Sequence, residues 1–426
     1  MEYDSLVSLQ LNKRLEPIAE LLNSNILNEL PLDLFGIEPG NLLELLSNAP
    51  SKISAFIGTL IEIARNYNMS VEQFYLTALR TYQEMHNNYF EDLEAEATRF
   101  REVIGLNSDT LPVSKRLTDL LENRYGYQIS PIDSKKNPEL AGLRSLLLPR
   151  QNRLLLNSQL SNEQRDFILA RELGYQALGL TSRLYTTAFV EAESFEPLLN
   201  NYKASYFAGA VIIDKRILKD KLAYVFNQPQ FDPDFFLAQI AFFDTTPETL
   251  FYRISNILPV YFGIDQLYFL RIHQFEGENI YTLSKEMHLA RKHHPHTVRD
   301  EHYCRRWTAL TSLQSLATQP TRSFCGIQRV RYHETSDEYL EITVAKTDEL
   351  NPSQLISVTM GIHLNEHTRN LIKFSTDPGL VYQEVGQTCE RCAIFDCKER
   401  MAAPNVIKKK HQQEIVRKAI HSLSQS

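Results

Sequence analysis

Tryptophan and cysteine are scarce in this chain of 426 residues, which has one Trp and five Cys. No apolar stretch approaches the roughly 20 residues that cross a membrane as a helix, and the amphipathic, acidic N-terminus is unlike a secretory signal. Three of the five cysteines lie within nine residues, which is not typical of a disulfide framework and more often indicates a metal site. These features predict a cytoplasmic protein without membrane contact.

The charge balance gives no indication of a nucleic-acid partner, since the net charge is −7 at pH 7. Aromatic residues other than Trp are frequent, with 22 Phe and 20 Tyr, which suits packed cores or a ligand pocket. The length predicts two or three domains with cores of ample size. Helical patterns combined with strand-like patterns predict an α+β fold.

Local patterns divide the chain into a helical first part and two modules that mix helices with strands. Apolar residues at i, i+3 and i+4 predict helices at residues 6–23, 39–47, 51–67, 70–104 and 110–125. In the first mixed module we predict strands at 143–148 and 153–157, a helix that a capping box opens at 161–164, and a helix at 246–258 that stops before Pro259. In the second we predict strands at 266–275, 280–284, 323–333, 338–346 and 355–364, and a helix at 300–317.

The run Arg171-Glu-Leu-Gly-Tyr175 in the helix after residue 161 reads as a metallopeptidase motif that has lost its ligands. A zincin helix carries His-Glu-x-x-His, whose two imidazoles bind one zinc ion from one helix face. Here Glu172 keeps the place of the general base, but Arg171 stays protonated and the Tyr175 phenol is protonated near neutral pH. We therefore predict a site without catalytic zinc in a protein that is not an enzyme.

The sequence on both sides of this helix resembles the ImmA/IrrE-type peptidase domain. Two strand-like runs precede the helix, and the segment FEPLLNNYKASYFAGAVII at 195–213 follows it. In that family the second helix reads Glu-Ala-Asn-x-Phe-Ala-Ala, and its Glu is the third zinc ligand. Alignment on Phe207-Ala208 places Lys203 at this position. The resemblance therefore implies a degenerate peptidase module whose former site is marked by Arg171, Glu172, Tyr175 and Lys203.

Cys389, Cys392 and Cys397 follow one another at spacings of two and four residues. Three thiolates this close can bind one metal ion or one iron–sulfur cluster. A fourth ligand is needed, and its possible sources are Cys304, Cys325, a histidine such as His302, or an exogenous group. The spacing does not decide between zinc and iron–sulfur, because soft sulfur ligands suit both.

A second cluster, Asp300-Glu-His-Tyr-Cys-Arg-Arg-Trp307, places cations beside aromatic rings. Arg305 and Arg306 supply charge for phosphate groups, and Tyr303 and Trp307 supply stacking surfaces. A nucleotide-phosphate ligand such as a coenzyme A requires this chemistry. An ordinary interface helix has the same composition, so the residues alone leave both interpretations open.

Four segments taken together resemble the C-terminal domain of the short-chain fatty acyl-CoA regulators. They are Asn256-Ile-Leu-Pro-Val-Tyr-Phe-Gly-Ile, Tyr281-Thr-Leu-Ser-Lys-Glu-Met-His-Leu, Glu301-His-Tyr-Cys-Arg-Arg-Trp and Cys389-x2-Cys392-x4-Cys397-x2-Arg400. The resemblance spans residues 42–404. It implies a ligand-responsive transcription factor that senses short-chain acyl-CoA, with Tyr303, Arg305, Arg306 and Trp307 as contacts. It also implies an iron–sulfur cluster, 4Fe–4S with zinc as the alternative, on Cys389, Cys392 and Cys397 with Cys304 as fourth ligand.

That family joins an XRE-type helix-turn-helix to an ImmA/IrrE-like module and this cysteine-bearing domain. Residues 1–125 carry no helix-turn-helix pattern with a basic recognition helix. We therefore expect DNA binding only through a helix-turn-helix further upstream or through a partner, and we expect a homo-oligomer.

The expected domain organisation has four parts. A helical region at 1–125 is followed by the degenerate ImmA/IrrE-like module at 126–260, an antiparallel-sheet sensor domain with the cysteine cluster at 261–404, and a basic helical tail at 405–426. Two alternatives from other functional classes stay open. One is an active ImmA/IrrE-type peptidase that uses Glu172 with unconventional ligands, and the other is a structural zinc module that mediates protein contacts.

Overall fold

The computed structural model describes residues 71–106, 113–133, 136–186, 194–275, 277–289 and 301–424. The described residues form two compact units, each built from several stretches of the chain. The first unit contains the described residues up to His86, Leu121–Asn157 and Arg171–Ser205, and the second contains Asn87–Leu120, Ser158–Ala170 and the described residues from Tyr206 onward. The four-part domain division stays a prediction, and the helices predicted at 6–23, 39–47 and 51–67 lie outside the described residues.

Helices and strands are mixed along the chain, which confirms the predicted α+β class. The helices are α1 (Val71–Met85), α2 (Glu91–Val103), α3 (Val113–Tyr125), α4 (Asn162–Ala177), α5 (Phe195–Ile212), α6 (Lys215–Phe226), α7 (Pro233–Phe242), α8 (Pro247–Phe262), α9 (Thr308–Thr318), α10 (Glu366–Leu371) and α11 (Asn405–Ser424). The strands are β1 (Gln128–Pro131), β2 (Ser145–Leu148), β3 (Arg153–Leu156), β4 (Leu267–Phe275), β5 (Tyr281–His288), β6 (Ser323–Tyr332), β7 (Glu338–Thr347), β8 (Gln354–His363) and β9 (Tyr382–Val385).

The single helix predicted at 70–104 is interrupted between α1 and α2, so this prediction is wrong. Asn87 and Asn88 take left-handed φ angles of 49° and 52° there, which Asn tolerates better than most residues and which an α-helix does not contain. The Asn88 amide donates to the Ser255 hydroxyl at 2.9 Å, and the Asn256 amide donates to the Asn88 carbonyl at 2.8 Å. Partners distant in sequence stabilise this break, and apolar spacing along one helix does not reveal them.

A three-stranded sheet in the order β1-β3-β2 belongs to the first unit. β2 and β3, both predicted, pair antiparallel, whereas β1 pairs parallel to β3 and was not predicted.

The predicted capping box at the start of α4 is confirmed. The Ser161 hydroxyl accepts from the Gln164 backbone at 3.4 Å, and the Gln164 side chain accepts from the Ser161 backbone at 3.3 Å.

Helix α8 starts at the predicted cap, because the Thr246 hydroxyl accepts from the Thr249 backbone at 3.2 Å. The prediction that this helix stops before Pro259 is wrong. The helix runs to Phe262 and ends at the left-handed Gly263. A proline in a helix removes one backbone hydrogen bond and crowds an earlier carbonyl. The preceding turn is buried completely at Ile257 and Leu258, and this packing offsets the lost hydrogen bond.

A six-stranded sheet in the order β5-β4-β8-β7-β6-β9 forms the centre of the second unit. Its pairs are antiparallel except for β6 with β9, which run parallel. Alternate side chains enter two cores, because successive residues of a strand point to opposite faces. Phe269 and Met360 pack in one core with α8, whereas Tyr268 and Tyr332 pack in the other with α9. The sheet is therefore covered on both faces.

The helix predicted at 300–317 begins only at Thr308, so its first turns are wrong. The segment 301–307 instead runs beside residues 387–389, with Cys389 N–H donating to the His302 carbonyl at 2.8 Å. The residue that bonds to the start of α9 is also distant from it in sequence. The Glu341 carboxylate on β7 accepts from the Thr308 backbone at 3.2 Å and from the Thr308 hydroxyl at 2.5 Å. A carboxylate is favourable at this end of a helix dipole.

The predicted helical tail is present as α11, and its side chains are not buried. Helices within the described residues are too short or too polar to cross a membrane.

Candidate functional site

The former peptidase site in the first unit is organised around Glu172, which is 1% exposed. Arg183 donates to both Glu172 oxygens, at 2.8 and 2.6 Å. Arg171 approaches the same carboxylate at 3.6 Å and donates to the Ser145 hydroxyl at 3.3 Å. One buried carboxylate therefore faces two guanidinium groups.

Tyr175 contacts the same cluster through its ring. Its ring lies 3.9 Å from the Arg183 guanidinium carbon, and its hydroxyl donates to the Asn201 side chain at 3.2 Å. Burial raises the pKa of Tyr175 to about 12, and burial also lowers the pKa of Arg171. Tyr175 is therefore neutral near pH 7, and the lowered pKa of Arg171 reflects the cost of burying its charge.

Glu172 is bonded to Arg183, and its carboxylate is not available to activate a water molecule. A general base needs a carboxylate that reaches a reacting proton, and here Arg183 occupies both oxygens. The cluster of Glu172, Arg171 and Arg183 carries a net positive charge, which opposes a divalent cation. Lys203, on α5, is half-buried. Sequence reasoning missed Arg183, because it lies beyond the helix, eleven residues after Glu172, and no local pattern connects the two residues.

The cysteine site in the second unit is formed by two chain segments that lie side by side. Tyr303 bridges Thr388, and Cys304 N–H donates to the Gln387 carbonyl at 3.2 Å. The Thr388 hydroxyl donates to the Glu301 carboxylate at 2.5 Å, so a side-chain hydrogen bond also joins the two segments. This pairing brings Cys304 to the loop of Cys389, as the fourth-ligand hypothesis requires.

The sulfur atoms lie in a partly buried environment with backbone donors. Cys304, Cys389 and Cys392 are 6–7% exposed, and Cys397 is half-buried. Met401 N–H donates to the Cys389 sulfur at 3.4 Å, and Ile394 N–H donates to the Cys392 sulfur at 3.5 Å. Burial raises the pKa of Cys304 to about 12, although two backbone N–H groups favour its thiolate, and the nearby Cys392 and Cys389 raise it further.

Gly386 lies where these groups meet. A Cβ atom at this position would lie 2.9 Å from the Cys392 sulfur and 3.1 Å from a Glu334 carboxylate oxygen. The absence of a side chain at Gly386 therefore lets Cys392 and Glu334 lie close to its backbone.

The donor chemistry of this site fits a soft metal or an iron–sulfur cluster, because its ligands are thiols that accept backbone N–H groups. Among the described residues, however, no three His, Cys, Asp or Glu side chains are arranged so as to hold a metal ion. A bound group would have to draw the sulfurs toward one point. Cys325 is separated from the others, since it packs in the core on the opposite face of the sheet from Cys304.

The four residues predicted to contact acyl-CoA lie before α9, in the segment that pairs with the cysteine loop. Tyr303 stacks on Trp307 at a centroid distance of 5.4 Å, and the Trp307 indole donates to the Gly386 carbonyl at 3.0 Å. Arg305 donates to the Asn279 carbonyl at 2.9 Å, and Arg306 donates to the Glu384 carbonyl at 3.2 Å. All four therefore have structural contacts, and Trp307, at 1% exposure, is part of the core.

Comparison with solved structures finds the same fold in a Mycobacterium tuberculosis transcriptional regulator. The TM-score is 0.53 and the sequence identity is 19%, with 76% of this chain and 93% of that chain covered. At this identity the likeness shows the fold alone. No protein-family model matches the chain, and comparison with curated proteins finds no match.

Proposed function

We propose that this protein is the sensing part of a transcription regulator that responds to short-chain acyl-CoA, on a scaffold derived from a peptidase but without catalysis. The observation that carries the proposal is the pairing of segment 301–307 with the cysteine loop, which joins the two predicted sensing motifs into one site. The fold shared with a protein described as a transcriptional regulator supports the same class.

The occupied Glu172 supports the noncatalytic part of the proposal. An active peptidase would have to free this carboxylate from Arg183 and place a zinc ion beside two guanidinium groups. Chelator-sensitive proteolysis by the purified chain would contradict this part of the proposal.

We propose that Cys389, Cys392 and Cys397 hold an iron–sulfur cluster, with Cys304 as fourth ligand. The burial of three of these thiols and the N–H groups that point at their sulfurs support this assignment. Such a cluster would make the sensor responsive to iron or redox state. The neighbouring pairs Arg305–Tyr281 and Tyr303–Trp307 would then transmit changes at the cluster to the predicted acyl-CoA contacts, to which three of these four residues belong.

Anaerobically purified protein is expected to be brown, with broad absorbance near roughly 400 nm and bound iron and sulfide. Changing Cys389, Cys392 or Cys397 to Ser should remove the colour and loosen the second unit, because a bound cluster contributes to folding. Cys325→Ser is the matched control and should keep the colour, since this thiol lies on the opposite face of the sheet. Cys304→Ser separates a four-cysteine from a three-cysteine cluster. Colourless protein with one zinc per chain would contradict the cluster and favour the structural zinc module.

Acyl-CoA binding is tested by thermal unfolding with acetyl-, propionyl- and butyryl-CoA. A ligand at about 100 times its Kd stabilises the folded state by about 2.7 kcal/mol, which gives a measurable rise in Tm. Arg306→Gln should reduce the shift, because this half-buried side chain loses charge for phosphate groups. Arg331→Gln, a half-buried arginine on β6, is the control. No shift with any of the three ligands, on protein that holds its cluster, would contradict acyl-CoA sensing.

A further inference from the structure

Arg400 lies beyond the last cysteine and points its guanidinium group back into the cysteine loop. It donates to the carbonyls of Cys389 and Cys392, the latter at 3.1 Å, and to the Ile394 carbonyl at 2.8 Å. A longer contact of 3.4 Å reaches the Ala402 carbonyl. One side chain therefore bonds to the backbone of two predicted ligands and to residues on both sides of it in sequence.

These contacts connect parts of the loop that lack regular secondary structure. Within the described residues, 386–404 contain turns and bends but no helix or strand, and the backbone hydrogen bonds inside the loop are short-range ones such as Cys392 N–H to the Cys389 carbonyl at 3.4 Å. The planar guanidinium group has five N–H donors in a fixed fork, which matches several carbonyls at once. The Met401 N–H that donates to the Cys389 sulfur directly follows Arg400.

We propose that Arg400 is the positioning residue that holds the backbone of the cysteine loop in one conformation before any metal or cluster draws the sulfurs together. This inference rests on the proposed metal-binding function of the cysteines. Arg400 acts through the backbone of Cys389 and Cys392, since its donors bond to their carbonyls and not to their sulfurs. A loop held in this way loses less conformational entropy when the ligands close on an ion.

Arg391 provides a matched comparison in the same loop. Its guanidinium group pairs with the Glu301 carboxylate at 2.8 Å and is mostly exposed. Arg391 and Arg400 therefore carry the same charge and belong to the same loop. Arg400 bonds to the carbonyls of Cys389 and Cys392, whereas Arg391 bonds to a carboxylate. Arg391 therefore controls for the loss of an arginine from this loop, and Arg400→Lys controls for the loss of charge at position 400.

The experiment uses the full chain, purified with reductant and chelator and then freed of chelator. Co²⁺ serves as the probe, because its thiolate complexes absorb visible light, and Zn²⁺ competition gives relative affinities. Arg400→Gln is expected to weaken Co²⁺ binding by about 10- to 100-fold, the range typical of residues that support metal ligands. Arg400→Lys should also weaken it, because an ammonium group keeps the charge but not the fork. Arg391→Gln should bind as the wild type does.

Amide hydrogen exchange in the metal-free chain supplies the second measurement. Arg400→Gln should speed exchange across 389–402, while exchange in β6 and β7 stays unchanged. Equal Co²⁺ affinity and equal exchange in Arg400→Gln and wild type would overturn the inference, as would an equal loss in Arg391→Gln. If the wild type binds neither Co²⁺ nor Zn²⁺, the proposed metal function fails, and the exchange measurement still decides whether Arg400 shapes the loop.

Discussion

Arg253→Met is expected to lower the free energy of unfolding by about 3–5 kcal/mol. Arg253 and Glu94 are each 1% exposed and form a bidentate ion pair, in which the second contact is 2.9 Å long. Tyr206 also donates to Glu94 at 2.7 Å. Removing the guanidinium group leaves a buried carboxylate with too few partners, and urea unfolding monitored by circular dichroism measures the loss.

A second substitution tests whether the cost comes from the buried carboxylate, which keeps the Tyr206 hydroxyl and the Lys215 ammonium, 3.8 Å away. Glu94→Leu added to Arg253→Met should recover much of the stability, because an apolar pair of similar volume has no buried charge. The pair of Arg99 and Glu96 on the same helix provides the control. Its arginine is exposed, and Arg99→Met should change stability little. A double variant no more stable than Arg253→Met would contradict this account.

The same pair makes stability dependent on pH. Burial alone would raise the pKa of Glu94, but the hydrogen bond and charge of Arg253 outweigh burial and lower it. A carboxylate with a lowered folded-state pKa contributes its stability above its unfolded pKa, about 4.3, and loses it as the pH falls through the folded value. Below about pH 4 the wild type should therefore lose stability that the double variant does not lose, because the double variant has no carboxylate at position 94.

Local sequence signals predicted those elements that local interactions determine. The capping box of Ser161 and Gln164, the Thr246 cap and the strands on either side of Asn152 all follow from residues close in sequence. The β7–β8 register also agrees with the alternation of apolar residues along the strands. These signals place Glu172 on a helix and the three cysteines in one loop.

Local patterns failed where distant residues determine the structure. The start of α9 depends on Glu341, 33 residues away, and β9 pairs with a strand about 50 residues earlier. Arg183 was not recognised as part of a candidate site, because its partner is a carboxylate on a helix. Arg400 was named as the end of the cysteine motif, but its bonds to the loop carbonyls were not predicted. A charged side chain in a loop has the same appearance in sequence whether it is solvated or bonded.

Glu172→Gln is expected to lower the free energy of unfolding by about 3–5 kcal/mol, the cost of leaving buried charge uncompensated. The amide has nearly the shape of the carboxylate but no charge, so Arg171 and Arg183 lose their shared counter-charge. This outcome separates two roles for Glu172. A general base can be neutralised with loss of activity and little loss of stability, because catalytic groups are seldom placed for stability.

The degenerate-site interpretation therefore predicts a stability effect where a peptidase would show a catalytic effect. Arg183→Met added to Glu172→Gln should recover part of the loss, because it removes one of the two buried cations. Glu196→Gln, at an exposed position in the first turn of α5, is the control and should leave the urea midpoint nearly unchanged. A Glu172→Gln variant as stable as the wild type would show that the two guanidinium groups do not need this carboxylate. Combined with loss of a zinc-dependent proteolytic activity, it would return Glu172 to the role of a general base.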